Sequence, residues 1–256
     1  MEREGKYIYC IIQSSQDRNF GPLGIGNRND EVLTIGYKDL SMVVSNHPLT
    51  KFVVNRYNMI AHEKVIEKVM KEFNSVLPVR FGTIASNPDE IRNLLDDRYR
   101  EFKDYLKYMD NKIELSVKGL WKNMDEIFNE VVEENIHIKN LKEKISRSKG
   151  GENIKSPVEI GKMVEKALIK KKEVEAEKIV DVFRRTAIEH NLNKTIGDEM
   201  FINAAFMVDR GREKEFDNIM DDLSEKYDER IKFMYSGPLP VFNFVNITIY
   251  PQEWEK

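Results

Sequence analysis

Few residues in this 256-residue chain have the types and spacing that support catalysis, and each belongs to an incomplete set. His62-Glu63 begins as the zinc-protease helix begins, where two histidines four residues apart hold the metal and the glutamate activates water. Position 66 is Ile66, so the second histidine is missing. His62 falls on the apolar stripe with Ile66, Val69 and Phe73, as a packed core histidine does. His47, His137 and His190 are scattered. Gly24-Ile25-Gly26 starts like a dinucleotide loop, which needs a third glycine and a helix directly after it. Asn29 stands at the third position and a strand pattern follows, so a surface turn is expected there. No Gly-Lys-Ser or Gly-Lys-Thr occurs, which removes the Walker phosphate loop. A single cysteine, Cys10, excludes an internal disulfide and a cysteine-based metal cluster, and its apolar surroundings make it a buried strand residue.

Two segments remain. In Val79-Arg80-Phe81-Gly82-Thr83, the forked donors of Arg80 suit a carboxylate or phosphate. One arginine without a nucleophile and base fits no reaction scheme. Two roles therefore stay open for Arg80: an internal clasp on Glu63, Glu67 or Glu114, or an anion site. The second segment, Gly237-Pro238-Leu239-Pro240-Val241-Phe242-Asn243-Phe244, is stiffened by two prolines and places apolar side chains between strands. It either caps a core or forms a docking surface for a hydrophobic partner, with Leu239, Val241, Phe242 and Phe244 as the candidate contacts.

The elements that must position these residues follow from periodicity. Lys6 to Gln13 reads as a strand buried on both faces, and Val32 to Ile35 and Leu40 to Ser45 as two more. From Asn55 to Phe73 the apolar residues Tyr57, Ala61, Val65, Val69 and Phe73 recur every four positions, the mark of a core-facing helix. Val76 to Phe81 returns to strand character, with Pro78 implying an edge or a bulge. Asn87-Pro88-Asp89-Glu90 and Ser156-Pro157-Val158-Glu159 are helix starts with an N-cap and a proline in the first turn. The second of these opens an uninterrupted helical pattern reaching about His190. Ile113 to Trp121, Leu192 to Ile196, Met200 to Val208, Ile231 to Tyr235 and Phe244 to Ile249 read as strands. Phe216, Ile219, Met220, Leu223 and Tyr227 stripe a further helix. The polar run Lys170-Lys171-Lys172, neutralised by Glu173, Glu175 and Glu177, reads as solvated helix surface.

The expected fold is α+β in two domains. Residues 1–110 form an N-terminal α/β domain with a small mixed sheet. Residues 111–256 form a modified ferredoxin-like sandwich with a long helix, interrupted by a helical excursion from Asn123 to Ile145 and a hinge at Ser146 to Asn153, together about 123–156. With 41 Lys plus Arg against 44 Asp plus Glu, the net charge of -3 argues against nucleic acid or an anionic membrane as partner. No apolar run reaches the ~18 residues of a membrane span, and Met1-Glu2-Arg3-Glu4 does not open as a secretory signal does. A cytoplasmic protein is expected.

The segments Val76 to Thr83 and Tyr235 to Phe244 resemble the signature segments of the gas vesicle GvpF/GvpL family. Gly5-Lys6-Tyr7-Ile8-Tyr9-Cys10, Gly24-Ile25-Gly26, His62-Glu63-Lys64-Val65, Ile113 to Lys118 and Asn203 to Asp209 continue the pattern in the family's order. The chain departs at Leu239-Pro240-Val241, where the family often carries a bulkier aromatic pair. The resemblance implies a non-enzymatic accessory protein needed to build gas vesicles, without cofactor. It implies as partners the hydrophobic shell protein GvpA and other vesicle proteins, met in the cytoplasm or on the vesicle. The rival readings are a ligand sensor on a ferredoxin-like domain, with Arg80 holding an anion, and RNA binding by a sheet face bearing Tyr7 and Tyr9.

Overall fold

The computed structural model describes residues 4–49, 54–147, 157–245, 247 and 249. In chain order the elements begin with the strands β1 (Glu4–Gln13), β2 (Asn19–Gly21), β3 (Val32–Tyr37) and β4 (Leu40–Pro48), then helix α1 (Arg56–Met70). Short strands β5 (Val76–Pro78) and β6 (Ile84–Ala85) precede α2 (Pro88–Asp97), α3 (Tyr99–Tyr108) and β7 (Lys112–Trp121). Helices α4 (Met124–Glu134), α5 (Ile136–Arg147) and α6 (Pro157–Phe183) follow, then β8 (Ala187–Leu192), β9 (Met200–Asp209), α7 (Glu213–Lys226) and β10 (Ile231–Leu239). The described residues divide into two compact units, one drawn from 1–115, 207–211 and 237–256, the other from 116–206 and 212–236.

In the first unit a six-stranded sheet runs β2-β3-β4-β1-β5, with β6 also paired to β1. Its described pairings are antiparallel, which corrects the expected mixed sheet: a tight turn joins β3 to β4, and β1 lies between β4 and β5 and runs opposite to both, so the two strands linked through α1 never pair side by side. Alternation along β1, reset by a bulge between Ile8 and Cys10, sends Ile8 and Ile11 into one apolar cluster and Tyr7, Tyr9, Cys10 and Ile12 into another. Val65, Ile66 and Val69 of α1 cover the second cluster, while Ile91, Leu94, Leu95, Phe102 and Leu106 of α2 and α3 cover the first. Burial of β1 on both faces is thereby explained, and Tyr7 and Tyr9, both fully buried, offer no platform to stack a base. The predicted Asn87 cap forms, and Asn55 caps α1 as well. Asn55 accepts from the Asn58 amide, and Asn87 from those of Asp89 and Glu90, satisfying donors that a first turn leaves free.

In the other unit, helices α4 to α7 accompany most of a four-stranded sheet ordered β10-β7-β9-β8. Numbered along the chain, that is fourth, first, third, second, the ferredoxin-like order with α6 and α7 as the crossovers. The long helix is 27 residues, about 40 Å at ~1.5 Å per residue. It stops at Phe183 instead of His190. No glycine or proline marks the stop. Phe183 stacks on Phe216 at 4.1 Å and packs against Phe206 at 5.0 Å between ring centres, and the chain then turns into β8, which starts at Ala187 and ends where the expected strand was to begin. The helical excursion is two helices, α4 and α5, with Asn123 capping the first. Residues 148–153 of the expected hinge, and the Ser156 cap, lie outside the described residues. In the expected strand Phe244 to Ile249, residues 246 and 248 lie outside them too. Phe244 sits in a turn, and residues 245, 247 and 249 belong to no strand.

Candidate functional site

The segment from Val76 to Ala85 is an edge strand interrupted by a protruding loop. β5 pairs Val76, Leu77 and Pro78 with Ile12, Ile11 and Cys10, and β6 pairs Ile84 and Ala85 with Tyr7 and Lys6. Between them the Val79 amide donates to the Tyr9 carbonyl at 2.9 Å and the Ile8 amide to the Thr83 carbonyl at 2.9 Å. Residues 80–82 are thereby pushed out of the ladder, as a bulge pushes them. Pro78 ends the edge strand, where its missing amide costs no ladder bond. Gly82 takes φ +87°, a region most side chains avoid, and its amide donates to the buried Tyr7 hydroxyl at 3.0 Å. This turn presents Arg80 and Phe81.

The tail segment reaches the same place by a different route. The Gly237-Pro238 peptide is cis, and a Cβ on Gly237 would lie 2.4 Å from Leu115 Cδ2, so only glycine fits. Glu114, buried, accepts from the Asn243 backbone amide at 2.8 Å and from its side-chain amide at 2.6 Å. Val241, Val245, Ile247 and Ile249 join the cluster built around Ile8 and Ile11.

Between these segments and α1 lies a cavity of ≈ 440 Å³ lined by Met59, His62, Glu63, Pro78, Arg80, Phe81, Phe242, Val245 and Ile247. Its walls are largely apolar. Three polar groups converge on it, the arrangement of a binding pocket. The His62 ring is buried, with Nδ1 2.9 Å from the Tyr7 hydroxyl. Nε2 is shut off from solvent and has no hydrogen-bond partner among the described residues. Burial drives its pKa down to about 4, against a smaller opposing pull from the Val79 backbone, so the ring is neutral at pH 7. Glu63, half-buried, is raised by burial and by Glu67. Arg80 is exposed.

The structure thus brings Arg80 and Phe242 to one cavity and separates the other candidates from it. The clasp does not form: among the described residues Arg80 pairs with none of Glu63, Glu67 and Glu114, and Glu114 is occupied by Asn243. Val241 is 2 % exposed and belongs to the core. Phe244 packs partly buried on that core, Leu239 is half-buried at the end of β10, and Phe242 is 38 % exposed. His62, read from the sequence as a packed histidine, is packed; its unpartnered nitrogen has no local signal, because Tyr7 is 55 positions away.

A second cleft, of ≈ 360 Å³, lies in the other unit and was missed altogether. Lys171, taken for solvated surface, has a side chain only 8 % exposed and meets Glu130 at 2.9 Å, Glu134 at 2.8 Å and Glu175 at 3.6 Å. Arg230 donates to Glu130 at 2.5 and 2.8 Å and to Glu175 at 2.8 Å. The Trp121 indole donates to Glu175 at 2.7 Å. The Arg230 hydrogen bonds hold the Glu130 carboxyl down at about 2. Its only local sign was spacing: Glu130 and Glu134 on α4, and Lys171 and Glu175 on α6, each fall one turn apart.

Among the described residues no helix is long and apolar enough to cross a membrane, and no three His, Cys, Asp or Glu side chains group as metal ligands. A two-sheet α+β protein with a ferredoxin-like unit and an apolar, donor-bearing cavity describes a binding architecture. The chain belongs to the gas vesicle synthesis protein GvpL/GvpF family, whose model matches residues 5–246. It is 25% identical over 248 residues to gas vesicle protein F1 of Halobacterium salinarum, covering 96% of this chain and 95% of that one. It is 26% identical over 201 residues to gas vesicle protein F of Nostoc sp., covering 77% and 81%. In fold it matches the crystal structure of GvpF from Anabaena sp. with a TM-score of 0.79 at 23% identity, over 96% of this chain and 100% of that one. GvpF from Microcystis aeruginosa matches equally, at 0.79 and 23%, over 95% and 99%. A gas vesicle-related role follows, in a family of structural and accessory proteins.

Proposed function

We propose that this protein is an assembly factor or minor component of the gas vesicle that works by binding, in the cytoplasm or on the vesicle, and catalyses no reaction. Its partners are the hydrophobic shell protein GvpA and other accessory vesicle proteins. A shell subunit apolar enough to keep water from a gas space exposes strand edges and apolar surface as a free chain, and such chains aggregate. A soluble protein that covers part of that surface until the subunit is added answers the need. The observation that carries the reading is the cavity in which Phe242, on one signature segment, faces Phe81 and Arg80, on the other.

Of the four candidate contacts, Phe242 is the one to test, since changing Val241 would open the core. Phe242→Ser is expected to stay folded and to lose most capture of freshly made shell protein in a pull-down that the wild type passes. Full capture by a folded Phe242→Ser would remove the cavity from the contact, and failure of the wild type to capture any vesicle protein would overturn the binding role itself.

A further inference from the structure

We infer that the groove between α5 and the first half of α6 is a docking surface for an acidic amphipathic helix of a partner protein. The helix lays its apolar face on Ile138, Met163, Ala167 and Ile169 and its carboxylates on Lys166 and Lys170. The surface lies wholly in the second unit, so the inference goes beyond the cavity of the first and does not depend on it.

The groove measures ≈ 610 Å³, and α6 turns a separate face toward it. Leu168, Ala176 and Ile179 are buried, and Lys171 and Glu175 are tied into the ion network with Glu130 and Arg230. Met163, Lys166, Ala167, Lys170 and Glu173 line the groove instead, at the i, i+3, i+4, i+7, i+10 spacing of one helix face. From Met163 to Glu173 that face runs about 15 Å at ~1.5 Å per residue. A wall of this length and period suits a helix lying alongside it, whereas a compact small molecule would fill only part.

The groove also selects the character of that helix. Ile169 in its lining is 50 % exposed, and Ile136 at the start of α5 is 67 % exposed, apolar surface that a partner can cover. Lys166 and Lys170 are exposed and, unlike Lys171 beside them, neither meets a carboxylate among the described residues. They stand one helical turn apart, so carboxylates one turn apart on the docked helix reach both. Among the lining residues only Glu173 is acidic. The bias extends along the chain: residues 135–173 carry eleven Lys and Arg against five Glu, in a protein of net charge -3. The field over this region therefore steers acidic partners. A nucleic acid would satisfy the lysines and leave the apolar floor wet, and a bilayer surface is too flat to enter a groove between two helices.

The test is fluorescence anisotropy of the full chain with three labelled helical peptides of about 18 residues, five turns each. The first carries a leucine stripe at helical spacing flanked by glutamates, the second has lysine for each glutamate, and the third has serine for each leucine. The first is expected to bind saturably and the other two at least roughly tenfold more weakly. Lys166→Glu combined with Lys170→Glu is expected to invert the order, losing the glutamate peptide and gaining the lysine one, a swap that loosening of the helix would not produce. If circular dichroism shows lost helix in that variant, Lys166→Gln with Lys170→Gln carries the test and is expected to bring the glutamate peptide down to the level of the lysine one. Equal binding of the two charged peptides, undiminished binding by the charge-reversed chain, or no binding would each overturn the inference. A dimer in sedimentation that the charge reversal abolishes would replace the partner helix by a second copy of this chain. Sedimentation with phosphatidylglycerol vesicles, lost in the same variant, would replace it by a lipid surface. Phe242→Ser is expected to leave peptide binding unchanged, so failure of this surface and failure of the binding role proposed above are read separately.

Discussion

The two clefts of this protein treat charge in opposite ways. In the α4–α6 cleft each of Glu130, Glu134, Lys171, Glu175 and Arg230 has an opposite charge within 4 Å. In the cavity between α1 and the two signature segments, Arg80 meets none and His62 Nε2 lacks even a hydrogen bond among the described residues. The first is an internally paired network, each of the five charges meeting an opposite one inside the cleft. The second keeps its donors uncommitted, which stabilises nothing until something binds.

That contrast can be broken first through pH. His62 falls from its usual 6.5 to about 4 in the folded state, so below pH 6.5 the unfolded chain binds the proton more readily. Stability is fully present above about 6.5 and is lost as pH falls toward 4, by about 3 kcal/mol from this residue. Denaturant titrations at stepped pH should show that slope in the wild type and its loss in His62→Gln. The Glu130 contribution disappears lower, between its usual 4.5 and about 2, because a depressed carboxylate is protonated only there.

Lys171→Ala should come next, destabilising the fold by about 2 kcal/mol. The three carboxylates around it would lose their shared cation, although Glu130, with its side chain 35 % exposed, retains water and Arg230. Chemical denaturation monitored by circular dichroism measures this, and a change below about 0.5 kcal/mol would mean that the network contributes only geometry. The smallest effect is expected at Arg80→Ala, within about 0.5 kcal/mol of wild type in the same assay, since no internal bond is lost. A larger loss would restore the clasp that the geometry denies.

Much of the framework was legible before any coordinates. The Asn87 cap with Pro88, the buried β1 and the edge character forced by Pro78 are local effects, set by dihedral preference, side-chain period and a missing amide. The α1 stripe was legible in its interior but not at its start: Tyr57 is 57 % exposed and bonds Asn27, while Asn58 is buried in its place. The end of α6 was not legible, because an aromatic contact with Phe216, 33 positions on, decides where it stops.

For the site, the sequence by itself determined its two segments: their residues, their stiffness and the incompleteness of every catalytic motif, since these depend on identity and near spacing. Only the tertiary structure decided that Arg80 meets no carboxylate among the described residues, that Val241 is core while its neighbour Phe242 is exposed, that Lys171 is sheltered, and that His62 is buried against Tyr7. Each of those outcomes turns on which side chains meet across long stretches of chain, and solvent exclusion and pairing are properties of that meeting rather than of any residue alone.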